Sequence, residues 1–168
     1  GQHGLMGKQS LYDHSVRVPL ITAGPNIPSG ETKSSLVYLL DIFPTLTDLC
    51  GLSLPESVEG KSLVPVLKGD DESARSSLYL AYGDSIRGVL RNDTKLIEYA
   101  CGDTQLFSLR EDASELENLA HDPDHEDTVT NMRQLLREWA DEWDDRTHPS
   151  GQRFWKSRSD LHPDGDLR

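Results

Sequence analysis

The sequence predicts a chain of mixed α and β structure, and three stretches carry that prediction. A Gly-punctuated loop holding one His and one Lys, His3 to Lys8, leads into an apolar, β-branched run from Val16 to Thr22. Loops at strand ends are where α/β folds place their chemistry. Four short strand-like runs follow one another between residues 77 and 109. An apolar stripe of helical period then covers 129–143.

Taken in order, residues 1–10 read as loop. Val16, Val18, Leu20 and Ile21 form a strand-like run in which Pro19 removes one ladder donor, favouring an edge or a strand end. A strand that feeds a large sheet seldom opens a chain this early, so residue 1 is expected to fall inside a domain. Gly24-Pro25-Asn26 and Pro28-Ser29-Gly30 are turn clusters. Asp41 is a candidate N-cap for a helix through Ile42, Leu46 and Leu49, with Pro44 tolerated in the first turn and Gly51 as its C′ residue. Ser62 is placed to cap a short helix, Leu63 to Leu67, closed by Gly69. The polar stretch 69–75 is the best internal boundary.

Beyond it, Ser77–Tyr82, Ile86–Arg91, Thr94–Tyr99 and Gln105–Leu109 are separated by Gly83-Asp84, Asn92-Asp93 and Gly102-Asp103. Connections this short favour antiparallel hairpins, hence a meander. Residues 111–127 carry eight acidic groups and no Lys or Arg, and read as a loop. Val129, Met132, Leu135, Leu136, Trp139 and Trp143 keep the i, i+3, i+4, i+7 spacing of a helix that covers the meander with one face. Residues 147–168 read as a polar tail with no core of its own.

Net charge is −12, of which residues 1–69 carry −1, with five Lys/Arg against six Asp/Glu. That acidity argues against nucleic acid as a partner, which needs a basic surface. It leaves small anions open, because one Lys in a pocket acts locally against the global sign. No apolar run of about 18 residues is present to span a membrane. The first residues do not read as a signal peptide, and neither localisation nor oligomeric state is legible. Cys50 and Cys101 are too few for a disulfide scaffold, and the Leu49-Cys50-Gly51-Leu52 context predicts a buried free thiol for Cys50.

Among candidate site residues, Lys8 stands out. Gly4 and Gly7 let backbone approach a ligand, and an ammonium beside them suits a tetrahedral oxyanion. His3, on the same loop, is able to donate a hydrogen bond or move a proton. Asp13 and Arg17, four apart, read as a structural pair. His121 and His125 have a zinc-compatible spacing, but Pro123 between them breaks the helix such a site requires. No nucleophile elbow, P-loop or Rossmann fingerprint occurs.

The order of segments points further. His3-Gly4-x-x-Gly7-Lys8 followed by Tyr12-Asp13 and Arg17-Val18-Pro19 resembles the back half of a sulfatase catalytic domain. That family shows His-Gly-x-x-x-Lys, Tyr-Glu and Arg-x-Pro in this order, with Asp13 here in place of the usual Glu. Leu40-Asp41-Ile42-Phe43-Pro44-Thr45 resembles its Asp-x-x-Pro-Thr segment, and Gly60-Lys61-Ser62-Leu63-x-Pro65-x-Leu67 its Gly-x-Ser-Leu-x-Pro-x-Leu element. Thr94-Lys95-Leu96-Ile97, Gln105-Leu106-Phe107-Ser108-Leu109 and Glu117-Asn118-Leu119-Ala120 resemble runs of its C-terminal subdomain.

The resemblance implies an alkaline-phosphatase-like α/β sandwich. Residues 1–69 would be the C-terminal part of its catalytic domain. Residues 70–146 would be a small α+β subdomain of four antiparallel strands and one helix, and 147–168 the tail. It implies sulfuric ester hydrolysis by a formylglycine nucleophile with a divalent metal, usually calcium. Lys8 would contact the sulfate group, and His3 would share the catalytic loop. The Cys/Ser-x-Pro-x-Arg motif and the metal ligands are not in this sequence, so this chain alone is expected to be inactive, with an uncovered apolar face in 1–69. The substrate would be a sulfate ester, small molecule or glycan. A phosphonate or phosphodiester hydrolase of the same superfamily and a non-catalytic fragment are the alternatives.

Overall fold

The structure, a computed structural model, describes residues 1–161. It contains helices α1 (Asp13–Val16), α2 (Ile42–Leu49), α3 (Val64–Lys68), α4 (Glu126–Glu142) and α5 (Pro149–Ser157), and strands β1 (Ser77–Tyr82), β2 (Ile86–Arg91), β3 (Thr94–Tyr99) and β4 (Thr104–Ser108). The chain forms two compact units: residues 1–18 together with those from 79 onward, and residues 19–78. The first eighteen residues thus pack with the small sheet.

In the first unit the strands run in the order β1-β2-β3-β4 as the meander predicts. Val89 lies opposite Leu96, and Leu96 opposite Leu106, in antiparallel register. Because side chains alternate across a strand, Val89, Leu96 and Leu106 share one face, packed under Val129, Met132, Leu135, Leu136 and Ala140 of α4. Ile86, Ile97 and Phe107 share the other, covered by Leu11 and Tyr12. Gly88 makes the second layer possible: a Cβ there would come within 2.9 Å of the Leu96 carbonyl oxygen and 3.0 Å of Leu11 Cδ1. The loop downstream of Lys8 is therefore a layer of the core.

The stretch read as a polar tail folds instead, over the described residues. His148 Nδ1 accepts from the Ser150 amide 3.3 Å away at the start of α5, and Pro149 occupies the first turn. Phe154, Trp155 and Leu161 are buried with the α4 side of the core. Three apolar residues spaced among polar ones gave too weak a period to read, and their burial depends on Asp145 and Arg158, which are distant in sequence from their partners. Residues 162–168 of that stretch lie outside the described residues.

Asp145 accepts from Arg87 (Nε, 2.8 Å), Tyr79 (2.8 Å) and Trp155 (2.8 Å). Burial alone would raise its carboxyl, but the hydrogen bonds from Arg87, Trp155 and Tyr79 and the Arg87 charge outweigh it and hold the group below the usual carboxylate range. Its stabilising contribution is complete above the unfolded-state value of about 3.9 and is lost as pH falls through the depressed folded value. Asp145→Asn is accordingly expected to cost about 1.5–3 kcal/mol at pH 7, with the difference shrinking below that window. Urea unfolding midpoints across pH check it, and a gap that persists unchanged in acid would refute the assignment.

The second unit is built around a buried ion pair. Asp41 is fully buried and takes both its oxygens to the Arg75 guanidinium, while also accepting from the Tyr38 amide (2.7 Å) and the Lys61 amide (2.8 Å). Asp41 does occupy the N-cap position of α2, but its side chain makes no cap hydrogen bond there. Four other donors claim it. Thr45 Oγ1 donates to the Asp41 carbonyl (2.6 Å) and accepts from the Leu63 amide (2.8 Å), tying α2 to α3. Gly51 and Gly69 end the two helices in the left-handed region, at φ 66° and 84°.

Two expectations fail. The strand-like run Val16–Thr22 is not a strand: α1 ends at Val16, and residues 17–22 have no regular structure. A strand requires a ladder partner, and none of β1–β4 pairs with it. Cys50 is exposed, not buried, because the face of α2 that carries it is uncovered: Phe43 is 55% and Leu46 56% exposed. The uncovered apolar face expected of 1–69 is present. No helix among the described residues is long and apolar enough to cross a membrane.

Candidate functional site

The site is built on residues that the first unit holds rigid. Leu11 and Tyr12 are buried against the sheet, and Ser10 Oγ lies 2.8 Å from Ser15 Oγ across the turn. The Asp13 amide donates to Glu115 Oε2 (2.6 Å), and the Lys95 ammonium bridges Asp13 and Glu115 from within β3, its contact to Glu115 being 2.7 Å. Arg17 also reaches Asp13, at 3.6 Å, so the pair read from their spacing exists as the exposed fringe of a buried cluster.

Upstream of this clamp the backbone turns sharply. Residues 2–4 form a 3-10 turn in which His3 sits at φ 56° and Gly4 at φ 70°; Gly7 is at φ 94°. Non-glycine residues seldom occupy that region. No heavy atom lies within 4 Å of where a Cβ would stand on Gly4 or Gly7, so both glycines leave open space beside the chain. Lys8 is exposed, and among the described residues no carboxylate pairs with it. A free ammonium beside two open glycines is able to take a tetrahedral oxyanion.

His3 is half-buried. Its ring stacks on Tyr12 with centroids 3.9 Å apart and planes 1° from parallel. His14 lies beside the pair, 5.5 Å from His3 and 5.9 Å from Tyr12. Nε2 of His3 and both ring nitrogens of His14 are shielded from solvent without a hydrogen-bond partner among the described residues. Tyr12 is fixed from behind: its hydroxyl donates to Gln105 Oε1 on β4 (2.8 Å), and its ring tilts against Phe107 at 5.9 Å. The hydroxyl of Tyr99 approaches the same Gln105 oxygen at 3.3 Å.

The structure thus places His3 and Lys8 on one loop, as read from the sequence. It adds Tyr12, His14, Lys95, Gln105 and Glu115 as their surroundings. Tyr12, Asp13 and Lys95 stood out only within motifs, and no local signal marked Glu115; the partners of Lys95 are 82 and 20 residues away. His121 and His125 belong to no metal cluster: no group of three or more His, Cys, Asp or Glu able to hold a metal occurs among the described residues.

Comparison with known proteins decides the family. The family model for N-sulphoglucosamine sulphohydrolase, C-terminal, matches residues 1–142. This chain belongs to the sulfatase family. It is 34% identical over 134 residues to arylsulfatase K of Homo sapiens, covering 71% of this chain and 25% of that protein. Choline-sulfatase of Rhizobium meliloti is 36% identical over 129 residues, with 73% and 25% covered. Among solved structures, a 2-O GAG sulfatase superposes with a TM-score of 0.71 at 28% identity, covering 82% of this chain and 32% of that one. The phosphonate monoester hydrolase of Silicibacter pomeroyi superposes with a TM-score of 0.68 at 26% identity, with 79% and 30% covered. The sulfatase chain thus spans a quarter to a third of the length of these relatives, and α5 lies beyond the segment that the family model matches.

Proposed function

We propose that this chain is the C-terminal portion of a sulfuric ester hydrolase and that Lys8 is its contribution to the sulfate pocket. The observation that carries the reading is the unpaired Lys8 on a glycine-opened loop, held on a buried clamp, within a segment matched from residue 1 to 142 by a sulfatase family model. The ammonium of Lys8 neutralises the charge that grows on the non-bridging sulfuryl oxygens as the ester bond breaks. His3 is the second member of that loop, its Nε2 without a hydrogen-bond partner among the described residues. Substrates of this class are sulfate esters of small molecules or glycans.

The implied calcium does not fit the described residues of this chain. Calcium takes about 6–8 oxygen ligands, and no acidic cluster among the described residues supplies even three candidate side chains. No step is therefore assigned here to a metal. The formylglycine nucleophile and the metal ligands belong, in this reading, to a preceding portion of the parent, and the 168-residue chain alone is expected to be inactive. The exposed face of α2, with Phe43, Leu46 and Leu49, is where that portion would pack.

The coding sequence upstream of Gly1 tests the reading at once. It is expected to continue in frame into a Cys/Ser-x-Pro-x-Arg motif; a stop codon or unrelated sequence there overturns it. Similarity to the phosphonate monoester hydrolase favours one second reading, since a tetrahedral phosphonate ester presents the same anionic oxygens to Lys8. Side-by-side assay of the intact parent on an aryl sulfate and an aryl phosphonate separates the two, and faster turnover of the sulfate is expected.

A further inference from the structure

We propose that Tyr12 is a positioning residue for His3, carrying the fixed geometry of β4, through Phe107 and Gln105, to the imidazole. The inference rests on the reading of His3 and Lys8 as the reacting loop of a sulfatase.

Three observations carry it. His3 belongs to a short 3-10 turn with no side-chain cap, in a backbone region that L residues rarely hold. Nothing in its own segment therefore fixes the ring. Its Nε2 has no hydrogen-bond partner among the described residues, so orientation does not come from a hydrogen bond at that atom. What does restrain the ring is face-to-face contact with Tyr12 at 3.9 Å and 1°, with His14 at the side.

Tyr12 is suited to the task because it cannot itself move freely. It is 7% exposed, its ring rests against Phe107, and its hydroxyl is held by Gln105. Phe107 and Gln105 both belong to β4, two residues apart, so they project to the same face and hold ring and hydroxyl together. A chain of rigid contacts then runs from the sheet to a loop ring. Catalytic groups need placement within about 0.5 Å and 10–20°, and a stack supplies orientation through the ring face without engaging a ring nitrogen. The stack gives Tyr12 a role of its own beside His3 and Lys8.

A double-mutant cycle in the intact parent enzyme, assayed on an aryl sulfate, tests this. Tyr12→Leu removes the stack and is expected to lower kcat by about 10- to 100-fold with KM nearly unchanged. Tyr12→Phe keeps the ring and loses only the Gln105 bond, so it should recover most of that loss, staying within about tenfold of the parent. It also guards against a Leu variant that fails to fold. In the His3→Ala background, Tyr12→Leu should cost no more than about twofold further, because the ring it positions is gone. Full additivity of the two substitutions would overturn the proposal, as would a folded Tyr12→Phe enzyme no more active than Tyr12→Leu. Normal turnover by His3→Ala, with Lys8→Ala still crippled, also overturns it while leaving the sulfatase reading intact. If Lys8→Ala too is unimpaired, that reading itself falls.

Discussion

Lys8→Ala in the intact parent enzyme is expected to depress kcat for an aryl sulfate by about 10²–10³-fold, the cost of removing one preorganised charge from a developing oxyanion. The magnitude follows from where the ammonium stands. It projects from a loop whose next residues, Leu11 to Asp13, are bound into a sheet core, so the backbone that carries it is anchored before substrate arrives. Among the described residues it has no carboxylate to neutralise it, and the surrounding glycines leave the approach open. The loss should fall mainly on kcat, because charge on the sulfuryl oxygens and the leaving oxygen grows between ground state and transition state. Lys8→Arg should restore only part of it. The guanidinium keeps the charge but spreads it over a planar fork whose donor geometry differs from that of a compact ammonium. Turnover by Lys8→Ala within a few-fold of the parent would remove Lys8 from the pocket.

How much of this was legible in the sequence depends on the range over which each feature is encoded. β1 to β4 were readable to within a residue or so because their limits are set locally, by Gly-Asp and Asn-Asp turns between alternating runs. α4 was readable because its buried residues repeat at helical spacing within one segment. Lys8 and His3 were readable as a motif. The clamp behind them was not. Lys95 looks like any surface lysine on a strand until Asp13 and Glu115 are brought to it, and Tyr12 looks like a core aromatic until His3 is laid on its face. Burial at α5 was equally hidden, since Phe154 and Trp155 depend on a sheet face some 60 residues upstream for their environment. Cys50 and the Val16–Thr22 run erred for a shared reason. Apolar composition predicts burial, but burial requires a covering layer, and neither segment has one here.

Lys95→Ala is expected to destabilise the first unit by about 3–5 kcal/mol, the usual cost of breaking a buried ion pair by removing one partner. Lys95 has no exposed side-chain surface, Glu115 2% and Asp13 19%. Without the ammonium, two carboxylates face each other across a site that water barely reaches. Glu115 offsets part of the cost: it is held at φ 55°, a strained conformation worth about 1–3 kcal/mol that relaxes once its surroundings no longer enforce it. Lys95→Met keeps the aliphatic stem and should lose nearly as much, which separates the charge from the packing. The triple variant Lys95→Met, Asp13→Asn, Glu115→Gln should recover most of the loss, because neutralising all partners leaves no buried charge uncompensated. Urea unfolding of the three variants decides the matter. Equal stability of Lys95→Met and the parent would show that the cluster contributes nothing. The loop would feel the change as well. Asp13 adjoins Tyr12 and lies five residues from Lys8, so releasing it from β3 frees the segment on which both site residues depend. Lys95→Met in the intact enzyme should therefore lower kcat even at temperatures where the protein remains folded, linking the buried cluster to the position of the ammonium proposed to meet the sulfate.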